Sequence, residues 1–432
     1  MRVQQTMNKV TGRARLSLWL VLFLWASSIA AAGKLTLSPY LDLGYSDNIF
    51  WDMTRVGDAT FSPGLGLDLQ TGSCNFFLDA DGKVYQNNDY LNSSMVAGGF
   101  SLFKVFSPRT SLYILPDISL IRFQGDLSYL DSTAPGLAIG VKHALSDHVF
   151  SRLVLGLRHS NYLNEDSYDR IRLASSLELS AFFNTQTTVR FTLGMNYLLF
   201  PHILTQVPST AVNAAGNDQA SAAANFDPGA HRGKPVPPVP PTPPLPPTPP
   251  TPPSPSDPPA PLPGTETVPV STIIDLAVPQ PYVVVRIAQG LGFKTGLIAE
   301  FMYRKNQALL QGMQAIGASE WALEQTEEDF FWQGTRLSIG VKTEAFLDLE
   351  VALDLSFSSK QYQGIEALDL EGVPLQPLVF RSDTQSQANV RISRKFGRLG
   401  LFVAGSYRKN RSNDLYFQYD FFTISGGVDL SI

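Results

Sequence analysis

An all-β transmembrane barrel, antiparallel and up-and-down with about 16 strands, is the fold this sequence predicts. Three features predict it: an export leader, apolar–polar alternation sustained over membrane-crossing lengths, and connections that alternate between short and long. The same segmentation accommodates a count of roughly 14 to 18 strands.

Residues 1–32 read as a signal peptide. Arg2, Lys9, Arg13 and Arg15 form a basic start, Leu16 to Ala26 an apolar core, and Ala30-Ala31-Ala32 the small residues for cleavage before Gly33. An anchor helix would need roughly 20 apolar residues, and this run stops short of that. Removing the four basic residues takes the formal charge from −5 to −9, which disfavours nucleic acid because phosphate contacts need clustered Lys and Arg. Cys74 is the only cysteine, so neither an intramolecular disulfide nor a cysteine-type zinc site can form.

The alternation is plainest in Ala345 to Phe357. Leu347, Leu349, Val351, Leu353 and Leu355 fall on one face, and Asp348, Glu350, Ala352 and Asp354 on the other. Runs of this kind reach about ten residues, the length of a tilted membrane-crossing strand, whereas soluble strands usually have five or six. Short connections fall near Gly72-Ser73, Ser107-Pro108-Arg109, Leu145-Ser146-Asp147, Asn184-Thr185-Gln186, Phe293-Lys294, Thr343-Glu344 and Phe396-Gly397-Arg398. Long ones span 46–59, 124–133, 201–280, 306–332, 358–383 and 409–418. Sixteen segments lie between them, among them Thr187–Leu199, Tyr282–Leu291, Ala345–Phe357 and Gln387–Arg394. An even count puts both termini in the periplasm and the long loops outside. Phe50-Trp51, Tyr162, Tyr197, Phe200, Tyr303, Tyr407, Tyr416 and Tyr419 lie near segment ends, as an interfacial girdle requires.

One barrel is interrupted by one insert. Residues 33–200 form its first part, 201–280 a disordered loop, and 281–432 the second part of the same barrel. Pro235 to Pro263 contains 18 prolines in 29 residues, a composition that cannot donate ladder hydrogen bonds and favours an extended polyproline helix. Strand parity places this insert on the cell exterior. Within 306–332, the stretch Ala308 to Glu328 reads as a short helix.

Gly44-Tyr45-Ser46-Asp47-Asn48-Ile49-Phe50, followed by Asp58, Phe61 and Pro63, opens the mature chain. Near the end stand Tyr407-Arg408-Lys409-Asn410-Arg411-Ser412-Asn413, Tyr419-Asp420 and Val428 to Ile432. Together these resemble the outer-membrane β-barrel porin family, type 2. The resemblance implies a barrel of porin or export type and supplies no catalytic residues. The chain ends in Ile432 where such barrels commonly carry an aromatic residue, which bears on assembly efficiency rather than fold.

No enzyme constellation emerges. His159 and Ser160 are adjacent, so on a strand they point to opposite faces and cannot act as nucleophile and base. Metal-ligand spacing and a Gly-rich phosphate loop are absent as well. The informative residues are the polar ones that alternation aims at a lumen. Arg152, Arg158, Arg170, Arg172 and Arg190 point inward from strands seven to nine. Asp42, Asp68, Asp79 and Asp81 do so from strands one to three, and Asp348, Glu350 and Asp354 from strand thirteen. A basic wall would then face an acidic one, and charged linings set pore selectivity. The alternative is that these residues only keep the lumen wet or pair with one another.

The function expected is passive passage of small polar solutes through a porin-like channel in the bacterial cell outer membrane. Two other functions fit the same residues. One is an exopolysaccharide export port, which needs polysaccharide-export components in the periplasm. The other is a non-conducting adhesive barrel that displays the proline-rich loop. Partners in each case are outer-membrane lipid and the barrel-assembly machinery, with no nucleic acid, cofactor or metal.

Overall fold

The computed structural model describes residues 33–49, 55–164, 169–207, 270–292, 294–306, 332–345, 348–369, 374–377 and 379–432. Sixteen strands run in chain order: β1 (Lys34–Ser46), β2 (Asp58–Thr71), β3 (Cys74–Tyr85), β4 (Ser93–Ser107), β5 (Thr110–Phe123), β6 (Ser132–Ala144), β7 (Val149–Tyr162) and β8 (Arg170–Phe182). Then come β9 (Thr187–Val207), β10 (Val270–Gly290), β11 (Thr295–Arg304), β12 (Trp332–Glu344), β13 (Leu349–Glu366), β14 (Phe380–Phe396), β15 (Leu399–Ser412) and β16 (Tyr419–Leu430). Each pairs antiparallel with its neighbours in sequence, and β1 pairs with β16 from Tyr40↔Asp429 to Ser46↔Thr423. The sheet therefore closes on itself.

Closure leaves the described sheet no open edge, which lipid demands because it offers no water to unpaired ladder N–H and C=O groups. At the seam Leu37 and Ile432 exchange backbone hydrogen bonds of 3.1 and 2.9 Å. The terminal isoleucine thus contributes to closure through its backbone. The outer face carries the apolar half of the alternation, with Leu43, Leu65, Leu137, Leu155, Leu193, Leu337 and Val403 all exposed. Tyr45, Phe61, Tyr303, Phe357, Tyr407 and Phe422 stand exposed toward the end where the long loops emerge, and Phe100, Phe183 and Phe396 toward the other. A surface of this kind, ringed by aromatics, fits hydrocarbon between two interfaces.

The tight connections use the residues such turns require. Gly72 and Gly397 sit at φ +53° and +62°, where a side chain other than Asn or Asp is strained. At the other end, 3-10 turns at Asp89–Leu91, Gly125–Leu130 and Leu415–Phe417 cap the loops. Asp58 begins β2 there and is almost wholly buried, accepting hydrogen bonds from Asn87 N (3.1 Å), Asn88 N (2.9 Å) and Asn88 Nδ2 (2.7 Å). Burial alone would raise its pKa, but these donors together with Ala59 N outweigh it and hold the carboxyl below its usual range.

Several segment bounds differ from expectation. The β9–β10 ladder extends from Gln289↔Thr187 to Val270↔Val207, so strand continues beyond the boundaries at 200 and 281. β13 reaches Glu366 and β14 starts at Phe380, well inside the expected 358–383 loop. The β13 and β14 extensions are mostly polar, and polar strand residues signal poorly because no face of them must be buried. The turn expected at Thr343-Glu344 lies later, because β12 runs on to Glu344. Glu344 and Glu350 stand directly opposite, and their repulsion is offset by Lys294 at 2.8 Å from Glu344 and Lys342 at 2.9 Å from Glu350. Among the expected girdle residues, Tyr162, Phe200 and Tyr419 share the inward parity and are buried, whereas Tyr303 and Tyr407 do face outward. The leader at 1–32, the proline run at 235–263, the expected helix at 308–328 and Phe50-Trp51 lie outside the described residues.

Candidate functional site

The inner wall is the candidate site, and the strand register fixes who stands beside whom on it. Directly paired residues share a face, so the parity set by the exposed leucines carries from strand to strand. Arg158 of β7 pairs with Arg172 of β8, which pairs with the fully buried Leu198 of β9. Nearer the tight turns, Arg152 pairs with Glu178, and Ser180 with Arg190, which in turn pairs with Arg286 of β10. The arginines thus form two tiers on one wall. Arg170 begins β8 above the outer tier and donates to Tyr162 Oη at 3.1 Å.

Most of these guanidinium groups are tied to the wall. Arg152 Nη2 donates to Tyr113 Oη at 2.7 Å with its Cζ 4.9 Å from the ring centroid. Arg158 is ion-paired with Asp117 of β5, Arg172 Nη2 donates to Asn196 Oδ1 at 3.1 Å, and Arg190 Nε stands 3.3 Å from Glu178 Oε1. Two carboxylates and Lys142 of β6, opposite Arg152, therefore belong to the same wall. The balance remains basic, since the five arginines and Lys142 outnumber Asp117 and Glu178.

Across the barrel the acidic residues form a column. Thr36 pairs with Asp68, Gly66 with Asp79, Gly64 with Asp81, and Asp42 with Gly427 of β16. Tyr40 pairs with Gly64 as well, and its ring lies over that glycine between Asp42, Asp79 and Asp81. Tyr113 over Gly140 and Tyr282 over Gly194 repeat the arrangement. In each case the absent β-carbon lets an aromatic ring lie flat on the neighbouring strand. On β13, Asp354 lies against Gly340, and Glu350 is held by Lys342.

Asp348 is a correction. It was expected on the inward face of strand thirteen, but β13 begins only at Leu349. Asp348 occupies the preceding turn at φ +56°, with its side chain 80% exposed and 4.0 Å from Lys294. Alternation in the sequence continues through Asp348, but the strand does not. Tyr113, Asp117, Glu178, Arg286 and Arg391 are inner-wall residues that sequence reasoning missed. β5 hides its two because Leu115 and Ile121 share their face, which blurs the alternation.

Exposure divides the inner wall along its axis. Toward the long loops it is packed: Trp332 is wholly buried beneath the cations of Arg304 (4.4 Å), Lys360 (5.6 Å) and Arg336 (5.8 Å). Arg381 packs there on Phe417 (3.2 Å) and Tyr362 (4.4 Å) and is ion-paired with Asp383 at 2.7 Å. Toward the tight turns, Asp68, Lys342, Asp354, Arg391 and Lys395 are exposed, as is Arg158 at mid-depth. A separate cavity of about 340 Å³, lined by Leu137, Leu155, Leu173 and Met195, lies on the outer face and holds no charged group. Among the described residues no three of His, Cys, Asp and Glu gather as a metal site.

No family model matches the chain, and no curated protein sequence matches it. Solved structures do overlay it. OpdO of Pseudomonas aeruginosa is 9% identical over 93% of this chain and 97% of that one, with a TM-score of 0.45. The outer membrane protein opdK from Pseudomonas aeruginosa is 12% identical over 92% and 99%, at 0.42. The outer-membrane expressed OmpT of Vibrio cholerae is 7% identical over 93% and 98%, at 0.41. Identities of 7–12% with TM-scores below 0.5 assign the chain to no family.

Proposed function

We propose that this barrel resides in the bacterial outer membrane and passes small polar solutes by passive diffusion. The observation that carries the reading is the opposition of two charged columns on one inner wall. Arg152, Arg158, Arg172 and Arg190 stand on β7–β9, and Asp42, Asp68, Asp79 and Asp81 on β1–β3. β2 lies six strands from β8 in the sixteen-strand circuit, so the acidic column stands obliquely across the lumen from the basic one. Such a transverse field orients dipolar solutes and filters ions, with no cofactor or moving part. Guanidinium groups pinned by Tyr113, Asp117 and Asn196 hold that field in place. On this reading the packed end around Trp332 and Arg381 is the narrow one and restricts passage to small solutes.

Planar-bilayer recording of the purified full chain tests the reading. A stable current that scales linearly with voltage, with ion selectivity that responds to the charged columns, supports it. Absence of current from correctly folded barrels overturns it in favour of a closed, surface-displaying protein.

A further inference from the structure

Inner-face aspartates of this barrel share a feature that the channel reading does not require. Asp42, Asp79, Asp81, Asp117, Asp354 and Asp429 each stand directly opposite a glycine of the adjacent strand: Gly427, Gly66, Gly64, Gly136, Gly340 and Gly400. Glycine weakens a strand, because it orders a flexible residue and offers no side chain to pack. Its recurrence beneath short carboxylates therefore needs a compensating benefit. The geometry supplies one. A β-carbon at Gly340 would lie 2.6 Å from Asp354 Oδ1, and one at Gly136 would lie 2.5 Å from Asp117 Oδ1. At Gly400 it would overlap both carboxylate oxygens of Asp429, and at Gly427 the carboxylate of Asp42. These four carboxylates lie down on the wall in the space a side chain would fill; Asp79 Oδ1 comes to 3.1 Å at Gly66, whereas the Tyr40 ring, not Asp81, fills the space over Gly64. Three inner-face aspartates have no glycine opposite: Asp68 stands opposite Phe77 and Thr36 and within 3.4 Å of Asn75 Nδ2, Asp58 opposite Ser46, and Asp383 opposite Lys360 and Ser412.

We infer that the inward glycines are specificity-determining positions of the channel: they seat the lumen carboxylates against the wall and so set both the open cross-section and the depth of negative charge. The inference rests on the channel reading and deepens it. With the seat filled, an aspartate must rotate off the wall toward the axis, where it narrows the path and attracts cations more strongly. Gly340 and Gly400 are the cleanest sites. At both, the nearest atoms are carboxylate tips rather than backbone, so the barrel accommodates alanine by moving one side chain. Gly296 of β11 is inward as well, but a β-carbon there meets nothing within 4 Å.

The experiment is single-channel recording and reversal-potential measurement on wild type, Gly340→Ala, Gly400→Ala, Gly296→Ala and the double variant Gly340→Ala/Asp354→Asn. Heat-modifiable gel mobility verifies that each is a folded barrel. Expected are lower conductance and a cation-directed shift for Gly340→Ala and Gly400→Ala, and no change for Gly296→Ala. The double variant should lose the cation shift while staying narrow. Two independent seats mean that a folding failure at one leaves the other to decide. Conducting variants with wild-type selectivity, or a cation shift that persists in the double variant, overturn the inference and leave the channel reading intact. No current from wild type overturns the channel reading itself, and the inference falls with it.

Discussion

Neutralising the basic column gives the most direct measure of the transverse field. The perturbation is replacement of Arg152, Arg158, Arg170, Arg172 and Arg190 by glutamine, which leaves Lys142 alone against Asp117 and Glu178 on β5–β9. Strands about 4.8 Å apart and tilted about 40° close, at sixteen, into a cylinder of about 16 Å radius, which puts arginine tips about 10 Å from the axis. At that distance one charge contributes about 0.4 kcal/mol in water, reduced to about 0.15 kcal/mol by one Debye length of screening at roughly 0.1 M salt. Five charges together shift the potential energy of a monovalent ion by about 0.7 kcal/mol. That is roughly a threefold change for each sign of ion, or roughly tenfold in the cation-to-anion permeability ratio. At about 1 M salt the Debye length falls to about 3 Å and the shift should shrink below about 1.5-fold. Reversal potentials under a KCl gradient read this directly. An unchanged ratio at low salt, or a shift of equal size at high salt, would refute the assignment of these arginines to the lumen field.

Three further outcomes follow from local geometry. Gly140→Ala should dislodge the Tyr113 ring and release Arg152, costing about 1–2 kcal/mol after discounting for partial exposure. Tyr113→Phe keeps the ring and loses only the Oη acceptor, so denaturant refolding should show a smaller loss; equal losses would mean the ring seat contributes nothing. Asp58→Asn should loosen the 86–92 loop by about 1–3 kcal/mol at neutral pH. Because the folded Asp58 carboxyl lies below its unfolded value near 3.9, its stabilisation is present above that value and disappears only as pH falls further, through the folded pKa. Amide exchange at Asn87 and Asn88 should therefore stay slow down to about pH 4 and quicken below it; quickening between pH 7 and 5 contradicts this. Protease added to intact cells should cleave within 235–263, and protection of that run would reverse the topology.

How much of this was legible depended on whether a residue had to choose between lipid and water. Leu349 to Leu355 could be read as strand because apolar residues on alternate positions beside aspartate and glutamate have only one sensible arrangement. The same logic found the inward parity of Arg152, Arg158, Arg172 and Arg190, since their strand neighbours Leu153, Leu157, Leu173 and Phe191 must face outward. It failed where that choice lapses. Asp348 kept the alternation in sequence but lies in a turn, and the polar ends of β13 and β14 had no apolar face to betray them. Partners were less legible still. That Arg158 meets Asp117, forty-one residues away, depends on the β5–β6–β7 register and on Gly136 between them, where Asp117 and Arg158 converge over a missing side chain.

The inner wall is therefore two environments rather than one, and identical residue types act differently in each. Arg304, Lys360 and Arg381 lie on Trp332, Tyr362 and Phe417 near the long loops, where burial would strand a charge unless it were stacked or paired. Their role is packing: stems and rings fill the outer end as a core would. Arg391 and Lys395 nearer the tight turns, and Arg158 at mid-depth, keep their side chains exposed even though Arg391 lies over Phe402 (3.7 Å) and Arg158 is ion-paired with Asp117, so they act on a passing ion with less stability at stake. Substitution should separate the two sets. Truncating Arg381 leaves Asp383 buried without its ion-pair partner and should be paid in folding, by about 3 kcal/mol or more. Truncating Arg391 should change selectivity and leave folding nearly untouched. A barrel in which both substitutions moved only conductance would have an open outer end, and one in which both moved only stability would have no conducting path along β14.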